Sequence, residues 1–381
     1  KRNASPVPPA SLDSQQAIEQ VQQLLRKNRL SISVAGYRDS ELSEWESDDL
    51  EGSEFLKGSV RSIPTINMYN VMEKVQKTFE EKHGNNPYQV KVETLLGERY
   101  VNAFGGHALA CGFSMHQDDL PKWEELVRAE MSKILDAISK AIMKQRRKML
   151  ARSIFDRYDG VVQRGPYVGM KLGDRSNISQ GPLGLKILGL YESLVVEKIH
   201  AVKNFDDFIN FGAADGYMAL GPLFNASCKR AICFEMTEEG REAVKRNAKI
   251  NNILDALIIK GKVDQNVISS LSELEINPSR SVVLCDIEGA EFEVLTKEVF
   301  TFLRGATLII ELHDKLIDNG YGLRDKLLKN IPSDANTHII SQKRASSFEG
   351  ISDLEELNDS DRALVMSEGR KFFGEWLIVE Y

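Results

Sequence analysis

From Gly165 to the last residue, short apolar segments alternate with segments of helical periodicity, and this alternation strongly restricts the available folds. The predicted strands lie at 207–211, 230–235, 256–261, 281–287 and 306–312, and the predicted helices at 185–202, 219–225 and 238–251. Short apolar strands that alternate with helices are typical of a parallel sheet covered on both faces. Two further strands, 337–341 and 376–381, predict an antiparallel pair that closes the sheet. The pattern therefore predicts an α/β fold.

The first 164 residues carry a different pattern. It predicts a helix that ends near Arg29, a strand at 30–35, a loop over 39–58, a helix at 68–82 and a long helix from Pro121. We divide the chain into a tail with a helix (1–29), a smaller α/β domain (30–130), a linking helix (131–164) and the larger α/β domain (165–381).

The composition predicts a globular cytoplasmic protein. The 381 residues carry a net charge of −7, which argues against binding of nucleic acid over the whole surface. The four cysteines form no Cys-x-x-Cys pair, so we expect reduced structural thiols and assign no metal ligands. No apolar run approaches the length of a membrane-spanning helix, and we expect no membrane partner.

A glycine turn follows the first strand of the larger domain, in the stretch Phe208-Ile-Asn-Phe-Gly-Ala-Ala-Asp-Gly-Tyr. Such a turn brings backbone N–H groups close to a ligand at the switch point of a parallel sheet. Dinucleotide sites favour Gly-x-Gly-x-x-Gly, but Ala214 and Tyr217 occupy the second and third glycine positions. The step from Gly212 to Gly216, with Asp215 between them, better suits the amino-acid end of S-adenosylmethionine. A purely structural turn is the alternative.

Acidic residues follow the next two predicted strands. Glu235 lies about twenty residues after the glycine turn, where a carboxylate accepts hydrogen bonds from both ribose hydroxyls. Nicotinamide cofactors are held in the same way, so Glu235 indicates a nucleoside without choosing between them. Asp264 lies where the exocyclic amine of an adenine would be bound.

The fourth strand and its continuation, Val282-Val-Leu-Cys-Asp-Ile-Glu-Gly-Ala-Glu-Phe, resemble the signature of the FkbM family of class I S-adenosylmethionine-dependent methyltransferases. The segments 189–192, 247–251 and 310–313 also resemble that family. The resemblance covers a little more than half of the chain and implies a Rossmann-like sheet that methylates a hydroxyl of a small molecule or glycan. The implied cofactor-binding residues are Gly212, Ala213, Ala214, Asp215, Gly216, Tyr217, Glu235, Asp264 and Asp286.

One residue departs from the class I pattern, because Asn210 stands where many of these enzymes have an acidic residue. For the base that takes the hydroxyl proton we favour His313, whose ordinary pKa is near neutral, with Glu288 and Glu311 as alternatives. A metal held by Asp286, Glu311 and His313 is conceivable by ligand type, but strand-end carboxylates also bind substrates. His313 as a purely structural residue is a further alternative.

The smaller domain contains Gly58-Ser-Val-Arg-Ser62 and Phe104-Gly-Gly-His107, which are similar to motifs of the DHH-associated domain of RecJ-type phosphoesterases. This resemblance implies phosphate binding by Arg61, Ser62, Gly105, Gly106 and His107. The Asp-His-His triplet of those enzymes is missing, so hydrolysis would need a separate DHH catalytic domain or a second copy of the chain. The alternative function is therefore a nucleic-acid-associated protein whose smaller domain binds single strands, a nucleotide or phosphates, while the larger domain methylates nucleic acid or serves as a binding module. A smaller domain that is a scaffold without a ligand is a further alternative.

Overall fold

The structure is a computed structural model, and it describes residues 31–36, 55–61, 67–84, 89–94, 97–102, 104–107, 110–116, 119–173, 182–341, 350–367 and 373–381. One compact unit holds Pro8–Met143 and the other Lys144–Tyr381. The division falls inside one continuous helix, Leu120–Arg157. The predicted helix before Arg29 lies outside the described residues.

The smaller unit contains an antiparallel sheet of four strands and a separate two-stranded hairpin. Its strands are β1 (Ser31–Gly36), β2 (Phe55–Arg61), β3 (Gln89–Thr94), β4 (Gly97–Asn102), β5 (Phe104–His107) and β6 (Ala110–His116). The order in the sheet is β1-β2-β6-β5, and β3 pairs with β4. Strand β2 corrects the prediction of a loop over 39–58, because its first four residues lie in that range and pair with β6.

Two helical segments build the apolar interior of the smaller unit. Helix α1 (Met68–His83) begins at Asn67, whose side chain accepts a hydrogen bond from the backbone N–H of Asn70. The helix ends at Gly84 in the left-handed conformation. Helix α2 (Leu120–Arg157) is the long helix predicted from Pro121. Buried side chains come from one face of α1 and from the first part of α2: Val71, Met72, Val75, Phe79, Trp123 and Val127.

The larger unit is built around a sheet of seven strands. They are β7 (Asp207–Phe211), β8 (Arg230–Phe234), β9 (Leu257–Lys260), β10 (Ser281–Cys285), β11 (Thr307–Glu311), β12 (Asn336–Ser341) and β13 (Glu375–Glu380). The order is β12-β13-β11-β10-β7-β8-β9, and the five strands from β7 to β11 are parallel. Strand β13 pairs antiparallel with β11 and β12, as the sequence predicted for the closing pair.

Ten further helices belong to this unit in the part of the chain that the structure describes. They are α3 (Leu183–Leu188), α4 (Ser193–Ala201), α5 (Tyr217–Phe224), α6 (Glu238–Ile250), α7 (Val267–Ser272), α8 (Glu291–Val294), α9 (Lys297–Phe302), α10 (Leu323–Asn330), α11 (Ser352–Glu355) and α12 (Asp359–Met366). None of the described helices is both long and apolar enough to cross a lipid bilayer.

The sheet separates two apolar cores, because successive side chains of a strand point to opposite faces. In β7, Phe208 belongs to one core, while Ile209 and Phe211 belong to the other. The same alternation places Cys233 of β8 in the first core and Cys285 of β10 in the second. Burial on both faces explains why these strands read as continuous apolar runs in the sequence.

The predicted helix 185–202 is wrong in one respect, because the chain forms two helices there. Helix α3 ends at Gly189, which has φ +71° and the left-handed conformation. A Cβ atom at this position would lie 2.1 Å from the backbone oxygen of Arg164. Glycine is therefore required at this break, and apolar periodicity alone could not reveal it.

The chain changes direction across the sheet at β7. From β7 it continues to β8 and β9 on one side, and it then returns to β10 and β11 on the other. Parallel sheets of this kind bind ligands beyond the carboxyl ends of the strands, at the point where the strand order reverses. The fold therefore places a candidate ligand site beside the residues that follow β7 and β10.

Candidate functional site

The glycine loop, residues 212–217, connects β7 to α5 at this switch point. Gly212 has φ +86°, and a Cβ atom there would lie 1.8 Å from the backbone oxygen of Asp286, directly after β10. The backbones of the two central strands therefore approach each other at the loop more closely than any side chain would permit. This close approach is the structural reason for the first glycine.

The rest of the loop is held in a strained shape. Ala214 has φ +48°, a conformation that costs free energy for any residue except glycine. Gly216, at φ +85°, precedes the first residue of α5, Tyr217. Ala213 and Tyr217 are buried, so the loop is fixed by packing as well as by its backbone. The six predicted residues thus form one preorganised turn.

Asp215 forms a buried ion pair within the loop. Its carboxylate accepts a hydrogen bond of 2.6 Å from Nζ of Lys186, and both side chains are less than 5 % exposed. The other carboxylate oxygen accepts from the backbone N–H of Tyr217 at 3.1 Å. The Lys186 ammonium also lies 5.0 Å and 5.6 Å from the ring centres of Tyr191 and Tyr217. Asp215 therefore places an anion at the first turn of α5.

Glu235, directly after β8, is also bound to the protein. One carboxylate oxygen accepts from the backbone N–H of Ala214 at 2.9 Å. The other accepts from the backbone N–H and the hydroxyl of Thr237 at 2.8 Å and 2.7 Å. A carboxylate offers about four acceptor positions, so one position remains after these three hydrogen bonds. Glu235 thus connects the ends of β7 and β8.

Three other residues complete the surroundings of the loop. Asp264 is exposed and accepts from the backbone N–H of Asn266 at 2.8 Å. Met236, next to Glu235, is 65 % exposed. Asn210 is 1 % exposed, and within the described chain its Oδ1 has no hydrogen-bond donor. A buried carbonyl oxygen without a donor is costly and often marks a ligand position.

The acidic edge, which we define as Asp286, Glu288, Glu291, Glu311 and His313, lies beyond β10 and β11. Asp286 and Glu311 adjoin the paired residues Cys285 and Ile310, so the parallel register brings the two carboxylates to the same edge. His313 follows two residues after Glu311 and is 4 % exposed. The sequence thus placed these groups correctly at neighbouring strand ends.

Glu291 fixes the orientation of His313. The fully buried carboxylate of Glu291 lies 3.0 Å from Nδ1 of His313 and accepts from its backbone N–H at 2.9 Å. Its second oxygen accepts from the backbone N–H of Gly289 at 2.8 Å. The Nε2 atom of His313 then faces oxygens of Asp286, Glu288 and Glu311 at 3.6, 3.7 and 3.8 Å, which is beyond hydrogen-bond distance.

These surroundings change the ionisation of His313. Burial by itself would lower its pKa, but the hydrogen bond to Glu291 and the charges of Glu291, Glu311 and Asp286 together raise the pKa to about 9. The imidazole is then protonated at neutral pH. The near-neutral pKa that favoured His313 as the base therefore does not hold in this arrangement, and its catalytic role stays a prediction.

Glu288 differs from the other acidic groups because its side chain is 84 % exposed. It has φ +53°, so a residue with a side chain occupies a strained backbone conformation. Strain of this kind costs about 1–3 kcal/mol and is common at functional sites. Glu288 is thus the member of the acidic edge that is most accessible to solvent.

In the smaller unit, the backbone brings most of the predicted phosphate-binding residues to one end of the sheet. Ala110 at the start of β6 pairs with Arg61 of β2 on one side and with His107 of β5 on the other. Gly105 and Gly106 belong to the same strand as His107. Ser62 lies outside the described residues.

Two residues with important contacts were missed by the reasoning from sequence. The sequence pattern predicts only that Lys186 belongs to a helix, although a lysine within an apolar helix that precedes a glycine loop is a signal for a buried ion pair. The family resemblance includes Glu291 but assigns it no role, whereas the structure places its carboxylate on His313. Its glycine neighbour Gly289, at φ +104°, is the local signal for a turn that returns the chain to the site.

Comparison with known structures gives distant likenesses, and no protein-family model or curated protein matches the chain. A protein of the NADB-Rossmann superfamily from Streptococcus agalactiae is 14 % identical with a TM-score of 0.32, covering 49 % of this chain and 66 % of its own. An O-methyltransferase from Bacillus cereus in complex with SAH is 10 % identical with a TM-score of 0.35, covering 62 % and 91 %. A tRNA methyltransferase from Bacillus subtilis is 12 % identical with a TM-score of 0.31, covering 48 % and 62 %. The chain thus spans just under two thirds of the first of these proteins, and similarity at this level assigns no activity.

Proposed function

We propose that the larger unit is a class I S-adenosylmethionine-dependent methyltransferase. The observation that carries this proposal is the meeting of the glycine loop with Asp286 at the switch point between β7 and β10, beside the carboxylate of Glu235. A ligand at the carboxyl ends of these strands would contact backbone N–H groups of the loop and an acidic group suited to ribose hydroxyls.

The charge at the loop favours this cofactor over a dinucleotide. A pyrophosphate would bind at the first turn of the helix after the loop, where N–H groups and the helix dipole attract anions. That position already holds the carboxylate of Asp215, which accepts from the N–H of Tyr217. A pyrophosphate would therefore lose this donor, whereas S-adenosylmethionine carries no phosphate and does not require it.

The residues around the loop fit the parts of S-adenosylmethionine. We assign Glu235 to the ribose, Asp264 to the adenine amine and exposed Met236 to the apolar face of the base. The buried Oδ1 of Asn210 would accept from the ammonium of the methionine part. An amide oxygen can make this hydrogen bond, so the departure of Asn210 from an acidic residue is compatible with binding.

The finer proposal is an FkbM-like O-methyltransferase that acts on a hydroxyl of a small molecule or glycan. When bound, S-adenosylmethionine supplies a methyl group that forms a bond to the acceptor oxygen as its bond to sulfur breaks and leaves the electron pair on sulfur. The protein aligns the acceptor and receives the hydroxyl proton. Because His313 is protonated at neutral pH, we assign this proton to Glu288, with Glu311 as the buried alternative.

The cofactor assignment is tested by calorimetric titration of the full chain with S-adenosylhomocysteine. We expect affinity near micromolar, about −8 kcal/mol. Glu235→Ala should abolish binding, while Glu239→Ala, which removes an exposed glutamate from the neighbouring helix, should bind as the parent does. The dinucleotide NADH should not bind. Absence of S-adenosylhomocysteine binding by the parent chain would overturn the proposal.

A second candidate function concerns the smaller unit, where the pairing of Ala110 with both Arg61 and His107 favours phosphate binding. We propose a DHH-associated-like domain that binds single-stranded nucleic acid or a nucleotide. Arg61→Ala should weaken binding of a labelled single strand and make the remaining binding less sensitive to salt, because a phosphate contact releases counterions. An unchanged salt dependence would contradict this function.

A further inference from the structure

Three members of the acidic edge have the geometry of a cation site. Asp286, Glu311 and His313 each offer one ligand atom, and these atoms lie within 4.8 Å of one another. A metal with bonds of about 2.1 Å to oxygen and nitrogen holds its ligand atoms within roughly 4.2 Å of one another. Inward movements of a few tenths of an ångström would therefore bring all three side chains onto one ion.

The orientation of His313 independently indicates a ligand. Its Nδ1 is engaged by Glu291, which also holds the backbone N–H of the same residue. This leaves Nε2 of a 4 % exposed side chain directed at the carboxylates of Asp286 and Glu311, yet 3.6 and 3.8 Å from them. A buried carboxylate that fixes one imidazole nitrogen and presents the other is the usual support for a metal-binding histidine.

The burial of the ligands also agrees with a bound cation. Glu311 is 3 % exposed, and Glu291 directly behind His313 is completely buried. Buried carboxylates are costly unless they are paired with a positive group or coordinate a metal.

We propose that Asp286, Glu311 and His313 bind one divalent metal cation, with Glu291 as the positioning residue for His313. Binding releases the proton of Nε2 to solvent, because an imidazole nitrogen ligates a metal only when it is deprotonated. Two carboxylates and an imidazole suit manganese among the divalent ions, since carboxylates favour hard cations and imidazole favours transition metals. Three protein ligands leave further coordination positions open. The role of the metal ion in catalysis rests on the proposed methyltransferase function. The ion would bind the acceptor hydroxyl and lower the pKa of that hydroxyl.

The proposal is tested with Mn²⁺ alone, added to the full chain after treatment with a chelator. Electron paramagnetic resonance measures the free Mn²⁺ that remains, and we expect one ion bound per chain. Glu311→Gln and Asp286→Asn should each weaken binding by at least about 10- to 100-fold. Glu293→Gln is the matched control, because it removes an exposed carboxylate that lies outside the acidic edge, and it should change the affinity less than about threefold.

The outcomes separate this inference from the proposed function. Wild-type chain that binds S-adenosylhomocysteine but not Mn²⁺ would overturn the metal site and leave the methyltransferase proposal standing. Mn²⁺ binding without S-adenosylhomocysteine binding would support the site and overturn the methyltransferase. Equal Mn²⁺ affinity in the parent, Glu311→Gln and Asp286→Asn would also overturn the site. Asp286, whose side chain is 29 % exposed, provides the variant more easily tolerated by the fold if Glu311→Gln does not fold.

Discussion

The glycine loop and the acidic edge lie at the ends of neighbouring strands, but their charged side chains differ in how they are paired. In the loop, Asp215 is paired with Lys186 at 2.6 Å, and Glu235 is engaged by three protein donors. At the acidic edge, Nε2 of His313 lies among carboxylates at distances too long for hydrogen bonds. Both loop carboxylates are thus engaged by protein donors, whereas at the edge four carboxylates surround one imidazole.

The difference in charge indicates different roles for the two regions. A loop whose side chains are already satisfied provides shape and backbone N–H groups, which suits the binding of a cofactor in one fixed position. An edge with excess negative charge favours a positive partner, and its ionisation responds to whatever binds there. Three substitutions test this contrast, beginning with the largest expected effect on stability.

The first test concerns the buried Lys186–Asp215 ion pair, which should stabilise the fold if the charges of the loop are satisfied within the protein. Lys186→Met leaves a buried carboxylate without its positive partner, and we expect the free energy of unfolding to fall by about 3–5 kcal/mol. Urea denaturation measures the change. The double variant Lys186→Met with Asp215→Asn should recover much of the loss, because no uncompensated charge then remains. Equal stability of the single variant and the parent would show that the pair is dispensable.

The shape of the loop is tested at its first glycine. Gly212→Ala introduces a Cβ atom 1.8 Å from the backbone oxygen of Asp286 at a residue with φ +86°. We expect a loss of about 2–4 kcal/mol in the free energy of unfolding, from strain and overpacking. Gly261→Ala is the control, since nothing lies within 4 Å of a Cβ atom there. A folded Gly212→Ala variant with undiminished S-adenosylhomocysteine affinity would contradict a binding role for the loop.

The acidic edge is tested with Glu291→Gln, which has the smallest expected effect. The NH₂ group of the glutamine would replace the oxygen that accepts from the N–H of Gly289, which places two donors against each other. We expect the free energy of unfolding to fall by about 1–3 kcal/mol. The pKa of His313, raised to about 9 in the parent, should fall towards its ordinary value of 6.5. Titration followed by NMR in the presence of a chelator measures this pKa.

The same pKa fixes the direction of a pH effect. Because folding raises the pKa of His313, its protonation stabilises the fold fully below pH 6.5, and this contribution is lost as the pH rises through about 9. The parent should therefore lose stability over this range, and Glu291→Gln should lose less. A pH dependence that is identical in both proteins would show that Glu291 does not set the ionisation of His313.

Much of the larger unit could be predicted because its central strands are buried on both faces. The predicted strands 207–211 and 281–287 contain β7 and β10, and errors are confined to one or two residues at the ends. The break at Gly189 could not be predicted, because it depends on a backbone oxygen of Arg164, distant in sequence. Periodicity reports which face is buried and says nothing about such close approaches.

The candidate site was predicted in its positions but not in its chemistry. Strand ends identified Glu235, Asp286 and His313, since parallel strands bring their carboxyl ends to one edge. The ionisation of His313 depends on Glu291, whose carboxylate reaches back across 22 positions of sequence. The ordinary pKa of an isolated histidine takes no account of such a neighbour. Lys186, the partner of Asp215, could not be predicted for the same reason, because the contact joins residues that are distant in sequence.

Each of the two cores on either side of the sheet contains a buried cysteine whose reactivity can measure local unfolding of that core. Cys233 and Cys285 are free, completely shielded thiols that belong to different cores, and burial raises the pKa of each. An exposed thiolate attacks an alkylating reagent, so each cysteine becomes reactive only when its own side of the sheet opens. In a chain whose Cys111 and Cys228 are replaced by serine, the labelling rates of Cys233 and Cys285 would show whether the two cores open in one cooperative step or independently.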